Sequence, residues 1–153
     1  MSKRLSAANG ELTFATTLMV HDLCVCLALQ KAARTVARQY DEALRPAHLT
    51  NGQFSLLMAV NRAEAPNLVD VANLLGMDRT TLTANLKPLA RRGLVKIAVD
   101  PEDRRSRRLF LSARGRSALA SALPIWKKTQ ARMARTLKGI DPKQLRAALN
   151  ALS

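Results

Sequence analysis

A run of hydroxyl and cationic side chains at helical spacing gives the clearest chemistry in the chain. It lies in the segment RTTLTANLKPLARR, which begins at Arg79 and has apolar residues on its other side. The outward side chains are Arg79, Thr80, Thr83 and Lys87, and the inward ones are Leu82, Leu86 and Leu89. Hydroxyl and guanidinium groups bond to phosphates and base edges, and an α-helix fits the major groove of B-form DNA. The pattern predicts a helix that reads double-stranded DNA.

The residues before this helix predict a helix-turn-helix. Asn67 caps a short helix, LVDVANLL, which ends at Gly76, and Asp78 caps the helix that follows. Glycine adopts the left-handed backbone conformation that closes a tight turn between helices. Two short helices joined in this way form a motif that places its second helix on DNA.

A charged β-hairpin is predicted next. The segments LVKIAV and RRLFLS have the composition of strands, and the loop DPEDRRS joins them. Between Asp100 and Arg116 there are six arginines and three acidic residues. An arginine at such a tip can enter the narrow minor groove, and Asp103 is placed to hold that guanidinium beforehand. The alternative is that the charged tip is only a solvated surface.

The composition narrows the functional classes. Lys plus Arg number 25 against 11 Asp plus Glu, a formal net charge of +14, which favours nucleic acid over an anionic membrane as the partner. With two histidines and no cluster at ligand or triad spacing, no enzyme, metal or cofactor is expected. The sequence contains no signal peptide and no apolar run long enough for a membrane span, so a cytoplasmic location without a membrane partner is expected.

Long helices are predicted on both sides of this middle segment. Residues 17 to 44 contain no Pro or Gly and are read as one helix, whose first half, LMVHDLCVCLAL, is apolar nearly all round. A second copy of the chain is the simplest cover for such a surface. A helix from residue 113, kinked at Pro124, and a last helix after Asp141 complete the chain.

The predicted fold class is mainly α with a small β-hairpin, a winged helix-turn-helix. A single chain of residues 1–153 is expected to hold a DNA-binding lobe at 50–111. Its helical dimerisation region is expected to lie at 17–46 and 113–153.

The segment LVDVANLLGMDRTTLTANLKPLARRGLVKIAVDPEDRRSRRLFLSARG resembles the core of the MarR family of bacterial regulators. The match rests on the wing DPEDRRSRRLFLS and on the strand start Gly93-Leu94-Val95. The resemblance implies an obligate dimer with a small-molecule or redox site between the dimer region and the DNA-binding lobes. It also implies that Asp103 and Arg105 form a wing salt bridge and that Arg105 enters the minor groove.

The same resemblance extends to further side chains of both elements. Thr80, Thr81 and Thr83 match the part of the family's recognition helix that contacts bases and phosphates, and Arg79 falls where the family varies. The predicted wing set is Asp103, Arg104, Arg105 and Arg107.

Cys24 and Cys26 admit two interpretations. The helix that carries them resembles the first helix of the family's organic-hydroperoxide-sensing branch, in which Cys26 aligns with the sensor and Tyr40 with a supporting tyrosine. Gln30 and Asn51 stand where further tyrosines are expected. In the other interpretation the cysteines are two small buried hydrophobes. Residues i and i+2 project about 200° apart on a helix, so the two thiols cannot bond to each other without unwinding it.

The expected function is a sequence-specific repressor that binds an inverted repeat as a homodimer and is released by a small ligand. Two alternatives stay open: a redox-sensing regulator acting through Cys24 or Cys26, and a non-specific architectural DNA-binding protein.

Overall fold

The computed structural model describes residues 12–152 and is mainly helical, with one two-stranded antiparallel hairpin. The predicted fold class is thereby confirmed. A 3₁₀ turn, Arg45–Ala47, follows the second helix. The elements are α1 Phe14–Leu23, α2 Val25–Leu44, α3 Asn51–Val60, α4 Leu68–Leu75, α5 Arg79–Arg91, β1 Val95–Val99, β2 Arg107–Leu111, α6 Ala113–Thr136 and α7 Pro142–Asn150.

The chain divides into two compact units, one ending at Val36 and the other beginning at Ala37. In the first unit the prediction of one helix over residues 17–44 is wrong. The backbone of Cys24 is extended, with φ −75° and ψ 101°, so α1 ends at Leu23 and α2 begins at Val25. Cysteine and β-branched valine are only moderate helix formers, which makes an interruption among them inexpensive even without Gly or Pro.

In the second unit the helices of the predicted helix-turn-helix begin at the residues whose side chains cap them. Thr50 and Gln53 form a reciprocal capping box on α3, with both bonds at 3.2 Å. Asn67 accepts from the Asp70 amide at the start of α4. Gly76 then takes the left-handed conformation, with φ 61°, and lets the chain turn into α5. These signals are local, which is why the sequence predicts them.

The hairpin packs against the start of α6. Its register pairs Val95 with Leu111 and Val99 with Arg107. The Ser112 hydroxyl caps α6 and lies within hydrogen-bond distance of the Leu94 carbonyl oxygen. Gly115 comes so close to the residue before β1 that an added Cβ would lie 2.2 Å from the Leu94 carbonyl oxygen. The approach of α6 to β1 therefore depends on a glycine at this position.

One apolar cluster joins the helix-turn-helix, the hairpin and α6. It is built almost entirely from aliphatic side chains, as the scarcity of aromatic residues predicts. Its largest fully buried members are Leu44, Leu56, Leu57, Leu82, Leu86, Leu89, Leu109 and Val71. Since dense packing resists deformation, this cluster makes α5 a firm support for the side chains on its outer face.

The C-terminal helices follow the predicted caps. α6 runs without a break through Pro124, and Asp141 accepts from the Lys143 amide at the start of α7. Between residues 12 and 152 no helix combines the length and the apolarity that crossing a bilayer requires.

Candidate nucleic-acid interface

Helix α5 has an apolar inner face and a polar outer face. Leu82, Leu86 and Leu89 are at most 1% exposed. The outer face carries Arg79, Thr80, Thr83 and Lys87, all of them exposed, and these residues line a shallow open depression together with Ala84. The predicted set of outward residues is therefore brought together on one surface.

The first turn of α5 is held by a carboxylate cap. Asp78 accepts from the Thr81 amide at 2.8 Å and from the Thr81 hydroxyl at 2.6 Å. These bonds, the hydroxyl bond first, hold the pKa of Asp78 below its ordinary value. The only hydroxyl proton of Thr81 is donated to Asp78, so that side chain keeps acceptor capacity alone for any further partner.

The hydroxyl of Thr83 is also engaged within the helix. It donates to the backbone carbonyl of Arg79 at 2.7 Å. This bond uses the hydroxyl proton, orients the oxygen and leaves its lone pairs free to accept from a donor outside the helix, such as the amino group of a base. The adenine N6 and cytosine N4 groups are donors of this kind.

The C-terminal end of α5 is tied to α3. The Arg92 guanidinium donates to the His48 carbonyl at 2.8 Å and to the Gln53 side chain at 3.3 Å. Gln53 also belongs to the capping box of α3. The recognition helix is therefore fixed at its first turn by Asp78 and just past its last turn by Arg92.

The tip of the hairpin, residues 101–106, is a tight turn with exposed cations. Arg104 and Arg105 are exposed, and the Ser106 amide donates to the Asp103 carbonyl at 2.8 Å. The expected salt bridge between Asp103 and Arg105 is not formed. Asp103 instead accepts from the backbone amide of Arg105 at 2.9 Å, because a short carboxylate in a turn bonds most readily to the main chain two residues on.

The ion pair of the hairpin lies where the tip meets the two strands, and it links two residues outside the predicted set. Arg108 Nε donates to Asp100 Oδ2 at 2.6 Å, and Asp100 is only 4% exposed. Arg107 donates from Nη1 to the carbonyls of Arg104 and Ser106, so its side chain braces the turn. Strand register was the signal that could have found the pair, because Arg108 pairs with Ala98 and Asp100, two residues further on, lies diagonally across from Arg108 on the same face.

The two cysteines of the first unit are free thiols in different surroundings. Cys24 is half-buried and its sulfur accepts from the Leu27 amide, whereas Cys26 is exposed and accepts from the Gln30 side chain. His21, which could assist Cys24, pairs with Asp22 at 2.9 Å instead.

Tyr40 lies buried in the second unit and donates its hydroxyl to Gln130. Burial raises the pKa of Tyr40 above its ordinary value, against the lowering effect of Arg132. Across residues 12–152 no three His, Cys, Asp or Glu side chains gather closely enough to hold a metal ion.

Comparison with known proteins identifies relatives of the chain. A model of the MarR family matches residues 49–106, which include α3, α4, α5 and the first part of the hairpin. The structure is similar to that of the Mycobacterium tuberculosis transcriptional regulator MosR in complex with DNA. That match has 38% identity and a TM-score of 0.76, and covers 84% of this chain and 92% of the other.

Two further relatives extend the comparison. The transcriptional repressor CouR, bound to a 23-mer DNA duplex, is 30% identical with a TM-score of 0.71, over 87% of this chain and 92% of the other. The transcriptional regulator TtmR of Methylorubrum extorquens is 33% identical over 62% of this chain and 49% of its own length. The chain spans about half to three fifths of the length of the curated relatives it matches.

Proposed function

The chain belongs to the MarR family of transcriptional regulators, and from that premise we propose that it binds specific sites on double-stranded DNA. The observation that carries the proposal is the outer face of α5, where hydroxyls and cations stand on a helix with a fully buried inner face. A helix of this diameter enters the major groove, about 12 Å wide, while the cations of the hairpin tip reach the adjacent minor groove. The net charge of +14 adds attraction to phosphates at any sequence.

The DNA-binding form is a homodimer. Helix α1 has no buried residue, and its large apolar side chains are open to water: Phe14 is 75% exposed and Leu23 74%. Near the other end of the described chain, Ile140 is 55% and Leu152 66% exposed. A second copy of the chain is the occupant that would cover these surfaces. Two recognition helices then read an inverted repeat, with half-sites about 34–36 Å apart.

A small apolar ligand is expected to regulate DNA binding. A cavity of about 360 Å³ lies between α3, α4 and α6, with the stacked rings of Phe54 and Trp126 in its lining. Met58, Leu74 and Leu123 supply further apolar surface. A volume of this size is at the lower end of the range for small-molecule sites. A ligand that binds better when the recognition helices are out of register with the grooves would release the DNA. Repression is the proposed outcome of DNA binding, as in the similar transcriptional repressor CouR.

A competition experiment tests the specific-site proposal against the architectural alternative. The probe is a duplex recovered by selection with the full chain from a random pool, and random-sequence duplex of equal length is the competitor at fixed salt. We expect the selected duplex to be retained at a competitor excess of ~10³-fold. Displacement at equal mass of competitor would mean that the protein binds DNA without preferred sites.

A second candidate function, redox sensing, is favoured by one observation: the helix is broken at Cys24, between the two thiols. The two cysteines therefore do not lie on one continuous helix, the arrangement in which a bond between them would require unwinding. An organic hydroperoxide would transfer an oxygen atom to the exposed Cys26 sulfur, giving a sulfenic acid and an alcohol. Attack by the Cys24 thiol would then form the disulfide and release water.

The redox proposal has a direct test. After treatment with cumene hydroperoxide, mass spectrometry should show the loss of two hydrogens in the wild type and none in Cys24→Ser or Cys26→Ser. DNA affinity should fall only in the wild type. Unchanged affinity of the fully oxidised wild type would reduce the cysteines to packing residues. The supporting role of Tyr40 stays a prediction, and Tyr40→Phe tests it by the rate of oxidation.

A further inference from the structure

The tip end of the hairpin is attached to the segment before α4 by the side chain of Arg108 and by backbone contacts of Arg108 and Leu109. Arg108 donates from Nε to Asp100 at 2.6 Å and from Nη1 to the backbone carbonyl of Ala65 at 3.0 Å. The Leu109 amide donates to the Pro66 carbonyl at 2.9 Å, and Asn67 forms an isolated β-bridge with Arg108. Pro66 is buried, so these bonds lie at a packed junction and not on a mobile surface.

The residues that Arg108 and Leu109 contact lead directly into the helix-turn-helix. Asn67 is the N-cap of α4, and α4 leads through Gly76 into α5. Arg108 therefore links the hairpin to the segment that leads into the helix-turn-helix. Asp100 anchors the bridge, because its second oxygen accepts from the Glu102 amide at 3.0 Å and its own amide donates to Ser106 at the tip.

The guanidinium of Arg108 already forms its hydrogen bonds within the protein. Its partner Asp100 is 4% exposed, and the Ala65 carbonyl takes a second proton of the guanidinium. Arg104 and Arg105, by contrast, project from the exposed tip. An arginine that is paired with a buried carboxylate would lose that pairing if it turned to a phosphate.

We propose that Arg108 is a positioning residue for DNA binding. It fixes the hairpin to the segment before α4, so that the tip carrying Arg104 and Arg105 keeps a fixed position relative to α5. Arg108 itself does not touch the DNA. The proposal rests on the DNA-binding function proposed above and adds to it how the two reading elements are held in register.

A measurement without DNA tests the fixation. Hydrogen exchange in the full chain is followed at the Leu109 amide, with the Leu86 amide in the core as the internal reference. Arg108→Ala should speed exchange at Leu109 by about tenfold or more relative to Leu86, which corresponds to about 1.4 kcal/mol. Arg104→Ala, which removes the same charge from the tip, should leave the ratio unchanged. An unchanged ratio in Arg108→Ala overturns the proposal, whatever happens to overall stability.

A mutant cycle tests the link to DNA. Arg108→Ala should weaken binding of the selected duplex about fivefold or more in the wild-type background. In the background Arg104→Ala/Arg105→Ala the same substitution should cost less than about twofold, because it acts through the tip. Full additivity, or no loss in the wild-type background, overturns the proposal.

Two controls complete the design. Asp100→Asn, which keeps the shape of the anchor, should repeat the effect of Arg108→Ala and add little to it. Arg108→Lys can pair with Asp100 but cannot reach Ala65 from the same position, so it should restore only part of the affinity. If the wild type bound no duplex at all, the proposed DNA-binding function would be wrong. The exchange measurement would still show whether Arg108 holds the hairpin to the segment before α4.

Discussion

Replacing Arg105 by alanine should change how strongly DNA binding depends on salt. The proposed DNA contacts include four exposed cations per protomer, namely Arg79, Lys87, Arg104 and Arg105. A dimer brings eight, and at about 0.9 per neutralised phosphate the plot of log affinity against log salt should have a slope of about −7. Arg105→Ala removes two of these contacts, so its slope should be about −5.4.

The difference is large enough to measure. Between 50 and 200 mM salt a slope of −7 lowers affinity by roughly 2 × 10⁴, and a slope of −5.4 by roughly 2 × 10³. The assay is fluorescence anisotropy with a labelled selected duplex at five or more salt concentrations. Arg105→Lys keeps the charge and should keep the slope, and Lys143→Ala on α7 is a control for the loss of charge alone. If Arg105→Ala binds with the wild-type slope and affinity, the hairpin tip does not contact DNA.

Three further predictions concern α5 and the packing behind it. Thr83→Ala should relax base preference at one or two positions of the selected site, read by sequencing of the retained pool, with the salt slope unchanged. Gly115→Ala should lower the free energy of unfolding by about 1–3 kcal/mol in urea titrations, because the new Cβ meets the Leu94 carbonyl oxygen at 2.2 Å. The control is Gly52→Ala, whose Cβ meets nothing within 4 Å and should not destabilise the protein. The lowered pKa of Asp78 means that its cap contributes fully above about pH 4 and is lost as pH falls through the folded value, so Asp78→Asn should reduce the change in stability between pH 5 and pH 2.

The parts of the fold that the sequence predicts are those governed by neighbours in the chain. Thr50, Asn67, Asp78, Ser112 and Asp141 all cap the helices expected of them. Each cap depends on bonds between residues two or three positions apart. The helical spacing of the leucines on α5 likewise determines which face is buried and therefore which side chains face outward.

The parts that the sequence does not predict depend on distant partners or on small differences in local free energy. No Gly or Pro marks the break at Cys24 in the sequence, and cysteine and valine fit either a helical or an extended backbone. The pairing of Arg108 with Asp100 depends on hairpin register and on the Ala65 carbonyl, 43 residues earlier in the chain. The resemblance to the family predicted a salt bridge between Asp103 and Arg105. The sequence does not show that Asp100 is the buried carboxylate of the hairpin.

The most direct test of the central claim is to sequence the duplexes that the full chain retains from a random pool at physiological salt. Two clasped copies with their α5 helices in successive major grooves predict an inverted repeat with half-site centres about 10 base pairs apart. Retained DNA without any enriched sequence, or a single half-site without its symmetric partner, would contradict that account.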